Sequence, residues 1–327
     1  MTPTGAQVIV WHAGSMTKAF QALETDFLCQ TGIQVQDNSA YSLDMLRQVT
    51  AGGKAADIVA PADFRDIDYL LKPAGYADYN IKFAGGKMVM AYIESDIVAK
   101  GLSDSQIADG AFSPPADKFD SPASIPNVVP GWYNVLLQSN IAVGGPDPSL
   151  DPGGYWGRMV FRLAQSYYKV PNLYGNILTH FVVAPPYGAP SVTLGQSYDF
   201  QFLYESSAYQ AWLKNPVDYR YVNLPDQINL GDLEQDWFYQ QAVLAVPDLF
   251  GTGLVSFSGT KVIWGVTVLR NAPNKANAVK FLQYLLGPDG QGWLHTYGPT
   301  PIVPAQVSPN DYRNLPTGLR SLVTQVP

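Results

Sequence analysis

Three short stretches carry residue types that could do chemistry: "HAGS" (12–15), "SAYS" (39–42) and "APAD" (60–63). In each, a strand-like run gives way to a small residue, and an amphipathic helical pattern starts at once. A serine or aspartate at such a junction allows three kinds of chemistry. It can cap its own helix, or it can be a nucleophile on a sharp strand-to-helix turn. It can also help frame backbone N–H groups that bind an anion at the positive end of the helix dipole, without Lys or Arg.

The catalytic alternatives find few partners. A nucleophilic serine needs a base and usually the G-x-S-x-G turn, and "HAGSM" supplies neither glycine at the position the motif requires. The chain has three histidines, His12, His180 and His295. A pairing of Ser15 or Ser42 with His12 stays open. The phosphate-binding patterns G-x-x-x-x-G-K-[ST] and G-x-G-x-x-G after a strand are absent, as are H-E-x-x-H and clustered histidines that would argue for zinc. "GTGLVSFSG" (251–259) reads as a hairpin turn. The single cysteine, Cys29, excludes an internal disulfide and lies in a helical pattern, where a buried thiol is expected.

The elements that must position these junctions follow from periodicity. Val8 to Trp11 form a continuous apolar run, as a strand buried on both faces requires. Met16, Phe20, Leu23, Phe27 and Leu28 then recur at helical spacing, and Thr31-Gly32 is a stop. "IQVQ" (33–36) alternates as a second strand, after which Leu43, Leu46 and Val49 mark a second helix starting at Ser42. "DIVAPAD" is a third strand, with Asp63 capping "FRDIDYLL". In an open parallel sheet these three helix starts share the carboxyl edge, where ligands bind. Ala62 sits there with a backbone N–H that could approach a ligand closely. Downstream, "GKMVMAYIESD" (86–96) reads as a strand. A Pro/Gly-rich turn follows, before a helix carrying Met159, Leu163 and Tyr167. "YDFQFLYESSAYQAW" is a strand and helix with Tyr204, Glu205 and Ser206 at the junction. "KVIWGVTVLRN" leads to a helix using Ala278, Phe281, Leu282 and Leu285.

Composition bounds the partners. At 327 residues, 46% apolar and 14% charged, the chain folds around a substantial core and suits two lobes. A formal charge of −7 without any basic run argues against nucleic acid. No apolar stretch is long enough to span a membrane, so a soluble protein is expected. "MTPTGAQVIV" lacks the charged-then-apolar pattern of a secretory signal. Either the protein is intracellular or a signal has been removed.

The segments "VIVWHAGSMTKAFQALETDF", "KAADIVAPADFRDIDYLL", "YADYNIKFAGGKMVMAYIESD", "DPGGYWGRMVFRLAQSYY", "LPDQINLGD" and "VIWGVTVLRNAPNKANAVKFLQYLLGPDGQGWL" together resemble the tungstate/molybdate-binding subunits of ABC importers. These are type II periplasmic binding proteins. The matches run in order from about residue 7 to residue 304. The resemblance implies a two-lobed α/β fold, each lobe a mostly parallel sheet flanked by helices, with an oxyanion between the lobes. It places the ligand-binding residues at Ser15, Ser42, Ala62, Asp151, Tyr155 and Tyr204. Two departures accompany it. Tungstate-specific members add an aspartate and a glutamate that make the metal six-coordinate. Asp151 matches the aspartate, but "APPYGAPSVTLGQS" (184–197), where the glutamate should fall, holds no acid. Glu205 stands where the family usually has Lys or Arg. It could replace the missing carboxylate or be a solvated acid at a helix start. Asp151 has two possible jobs: ligating the metal of the oxyanion directly, or capping a backbone turn.

The resulting expectation is an extracytoplasmic solute-binding protein, periplasmic or extracellular, that captures molybdate or tungstate for an ABC permease. It would be a monomer with no cofactor beyond the bound oxyanion and no covalent chemistry. Lobe one is expected at 1–92 and 264–327, lobe two at 93–263, with hinge crossings near 88–94 and 262–268. A binder of sulfate, phosphate or an organic anion is the alternative within this class. A serine-dependent hydrolase using Ser15 or Ser42 is the alternative outside it.

Overall fold

The computed structural model describes residues 5–112, 125–185 and 193–327. The chain divides into two compact units. The first comprises Met1–Gly85, Pro247–Val255 and Ile263–Pro327, and the second Gly86–Val246 and Ser256–Val262. The chain thus passes between units at 85/86 and 262/263. It also passes along the two-stranded hairpin of Val243–Pro247 and Leu254–Ser258, whose turn includes the Gly-rich 251–253 segment.

The first unit begins with β1 (Gln7–Ala13), α1 (Thr17–Thr31), β2 (Gln34–Ala40), α2 (Ser42–Val49), β3 (Ile58–Ala60) and α3 (Phe64–Asp66). A π-helical turn, Ile67–Leu71, continues α3. β1 pairs in parallel with β2 on one side and β3 on the other, so α1, α2 and α3 all start from the same sheet edge. Burial explains why each element forms. β1 is buried from Val8 to Ala13, and α1 buries Ala19, Phe20, Leu23 and Phe27. Gly32 ends α1 in the left-handed conformation (φ 71°) with its N–H donating to Leu28 O, a conformation glycine adopts without steric cost. Asp57, fully buried, accepts from the backbone N–H of Ile9 and from Asn274, tying β1 to the start of the Lys275–Leu286 helix. Seven strands make this sheet, in the order Val323–Gln325, Thr300–Val307, Ile81–Gly86, Val262–Val268, β3, β1, β2.

Among the described residues, the second unit carries its own seven-stranded sheet. Its centre is β4 (Met88–Ile93), β5 (Val143–Pro146) and β6 (Phe200–Tyr204), with β6 between the other two. β4 runs antiparallel to β6, whereas β5 is parallel to it. In the first sheet, Val262–Val268 likewise runs antiparallel to β3, while β1 and its two neighbours are parallel. α4 (Pro152–Tyr168) and α5 (Glu205–Trp212) flank this sheet. Both sheets are therefore mixed and helix-covered, and the α/β class holds. No helix of the described residues is long and apolar enough to cross a membrane.

Cys29 is exposed, which corrects the expectation of a buried thiol. The buried face of α1 passes through Leu23 and Phe27, and two residues beyond Phe27 the helix has turned about 200° away.

Candidate functional site

The serine edge of the first unit is built by long-range hydrogen bonds. Ser15 lies in a 3₁₀ turn, Gly14–Met16, between β1 and α1 and is not a side-chain cap. Its Oγ accepts from the Trp264 indole N–H at 3.0 Å. Ser42 is the first residue of α2 and likewise does not cap it. Its Oγ accepts from the Ala62 N–H at 3.0 Å. Of the three roles open to a serine at such a junction, the hydrogen bonds show neither hydroxyl as the cap of its own helix: each accepts from a donor on another element. Accepting an N–H turns the hydroxyl proton away from that donor, which fixes the direction in which it can donate. The Ala62 N–H, expected to reach a ligand, is committed to Ser42.

Asp63 does cap its helix, accepting from the Arg65 N–H at 2.9 Å. The Arg65 guanidinium also grips the carboxylate, with Nε 3.0 Å from Oδ1 and Nη2 2.7 Å from Oδ2. Both side chains are buried. This pair matters electrostatically: an uncompensated buried carboxylate here would repel any anion, and Arg65 neutralises it. Arg65 and Trp264 help build this edge, and the sequence reading did not single them out. A basic residue two positions after a capping aspartate was the available signal for Arg65. Trp264, 249 residues from Ser15 along the chain, left none.

His12 does not serve as base to either serine. Its Nδ1 is 2.8 Å from Ala13 O and its Nε2 is 2.8 Å from Asp37 Oδ1.

The second unit gathers a different corner. Asp151 caps α4, its Oδ1 accepting from the Gly153 N–H at 2.7 Å. Tyr204 ends β6 directly before α5. A Cβ on Gly153 would lie 2.8 Å from Asp151 Oδ1 and 3.6 Å from Tyr204 Cε2, so Asp151 and Tyr204 converge on this glycine. Of its two possible jobs, Asp151 is seen performing the backbone cap. Tyr155 is fully buried one turn along α4, stacked on Phe257 at 5.1 Å between ring centroids. Glu205 is neither isolated nor simply solvated: its Oε1 lies 3.3 Å from Lys87 Nζ, and its N–H donates to Lys87 O. Lys87, at the entry to β4, is a further residue the sequence reading passed over. Half of the acid-free stretch 184–197, residues 186–192, lies outside the described residues.

Comparison with known proteins places this geometry in context. The sequence profile of the bacterial extracellular solute-binding proteins matches residues 8–299. The chain belongs to this solute-binding family. It is 32% identical over 355 aligned residues to the molybdate/tungstate-binding protein WtpA of Pyrococcus abyssi, covering 98% of this chain and 92% of that protein. An uncharacterised solute-binding protein of Petrotoga mobilis is 30% identical over 308 residues, covering 92% of this chain and 85% of the relative. In fold, the chain is similar to the sulfate-binding protein SubI of Mycobacterium tuberculosis, with a TM-score of 0.60 at 16% identity over 91% of this chain and 87% of that one.

Proposed function

We propose that this member of the solute-binding family captures a small tetrahedral oxyanion, molybdate or tungstate first, and delivers it to an ABC permease from outside the cytoplasm. The observation that carries the reading is the serine edge. Two buried hydroxyls are oriented by N–H groups of other elements, beside a carboxylate whose charge an arginine cancels. Neutral donors at helix starts suit a dianion that must be bound firmly and then released, since no fixed countercharge has to be separated from it. The identity to the molybdate/tungstate-binding protein of Pyrococcus abyssi over nearly the whole chain supports the choice of anion. The direction of both His12 nitrogens supports binding without covalent chemistry, because neither faces a serine.

The test is thermal unfolding of the ligand-stripped chain with tungstate, molybdate, sulfate and phosphate, each at about 1 mM. A ligand of micromolar dissociation constant adds roughly 4 kcal/mol at that excess, a shift of several degrees. A shift with molybdate or tungstate supports the reading. A shift with sulfate or phosphate alone moves it to another small anion, and no shift with any of the four overturns it.

A further inference from the structure

Away from the serine edge, three side chains of the first β–α–β unit converge: His12 on β1, Glu24 on α1 and Asp37 on β2. One ligand atom from each lies within 4.8 Å of the other two, and among the described residues this is the cluster of metal-ligating side chains that does so. We propose that His12, Glu24 and Asp37 bind a divalent transition-metal ion of the zinc type, which staples β1, α1 and β2 together.

The fold explains the convergence. In the parallel register Val10 stands opposite Asp37. His12, two residues on from Val10, therefore points to the same face of the sheet as Asp37. α1 covers that face, and Phe20, one turn before Glu24, packs on the His12 ring at 4.6 Å. Glu24 thus reaches down over the pair.

The chemistry of the histidine calls for a cation. Its Nδ1 faces the Ala13 carbonyl oxygen at 2.8 Å, and a carbonyl can only accept, so the proton sits on Nδ1. Nε2 lies 2.8 Å from Asp37 Oδ1, a contact that needs a positive centre between or beside the two atoms, supplied either by a second ring proton or by a metal ion. His12 is completely buried. Its Nε2, Glu24 Oε1 and Asp37 Oδ1 are all shielded from solvent and make no hydrogen bond of normal geometry among the described residues. A histidine that donates one N–H to a backbone carbonyl and aims the other nitrogen inward has the orientation typical of a metal ligand.

The donor set, one imidazole and two carboxylates, favours zinc and its neighbours over magnesium or calcium, which prefer oxygen-only shells. An entry path exists. Glu24 lines a cavity of about 430 Å³ with Gln21, Thr25, Leu28, Gln34 and Val35, and the Asp37 side chain is 26% exposed. A solvent molecule from this side would complete a four-coordinate shell.

This inference is independent of the oxyanion reading, and its test keeps the two apart. The full chain carrying Cys29→Ser, which removes the exposed thiol, is stripped with chelator and titrated with ZnCl2, then with MgCl2, in the absence of oxyanions. The expected result is one equivalent of zinc bound, a rise in Tm, and no comparable effect of magnesium. Glu24→Gln and Asp37→Asn should each weaken zinc binding at least ~10-fold while leaving the response to molybdate and tungstate unchanged. His12→Gln is left as confirmation only, because its burial could compromise folding. Failure to bind zinc, or binding that neither Glu24→Gln nor Asp37→Asn weakens, overturns the proposal.

Discussion

Arg65→Met removes the countercharge of Asp63 while keeping most of the side-chain volume. Asp63 is fully buried and Arg65 nearly so, and the guanidinium makes contacts of 3.0, 3.2 and 2.7 Å to the carboxylate oxygens. Deleting one partner of a buried pair costs roughly 3–5 kcal/mol, because the other charge is stranded away from water. At about 2–4 °C per kcal/mol for a unit of this size, Tm of the ligand-free protein should fall by roughly 6–20 °C. Asp63→Asn keeps an acceptor for the Arg65 N–H but removes the charge. The double variant Asp63→Asn/Arg65→Met should therefore recover much of the loss. Thermal and urea unfolding of wild type, both single variants and the double variant give the coupling, expected to exceed about 1 kcal/mol. A loss below about 1 kcal/mol for Arg65→Met, or losses that simply add in the double variant, would refute the reasoning.

Three further outcomes follow from the same geometry. Ser42→Ala strands the buried Ala62 N–H; it should cost about 1–3 kcal/mol in urea unfolding and weaken oxyanion binding roughly tenfold or more in calorimetry. Asp151→Ala removes the α4 cap at Gly153 and should cost about 0.5–2 kcal/mol, with Asp151→Asn restoring most of it; if Asp151 instead ligates the metal of the oxyanion, Asn restores stability but not tungstate affinity. Gly144→Ala places a Cβ about 2.1 Å from the Tyr198 ring and should lower Tm by several degrees, as overpacking of roughly 1–3 kcal/mol does.

Much of the fold was legible because burial has a period. Leu43, Leu46 and Val49 on α2, and Ala278, Phe281, Leu282 and Leu285 on the later helix, are all buried, as their spacing requires. The strand-to-helix junctions at Ser15, Ser42 and Tyr204 were legible for the same reason. Their hydrogen bonds were not, because a hydroxyl at a helix start can cap locally or accept from afar, and sequence spacing does not distinguish the two. Trp264 reaches Ser15 across 249 residues. The His12, Glu24 and Asp37 cluster was equally hidden: its members are spaced by sheet register and crossover length, not by a helical motif.

The central claim is that the first unit's serine edge serves an oxyanion. Isothermal titration of the stripped chain with molybdate and tungstate, repeated with Ser42→Ala and Ser15→Ala, tests it most directly. The account predicts saturable binding of one equivalent at micromolar dissociation constant or tighter, weakened about tenfold or more by either substitution. Binding of equal strength in all three proteins, or no binding of either anion to the wild type, would contradict it.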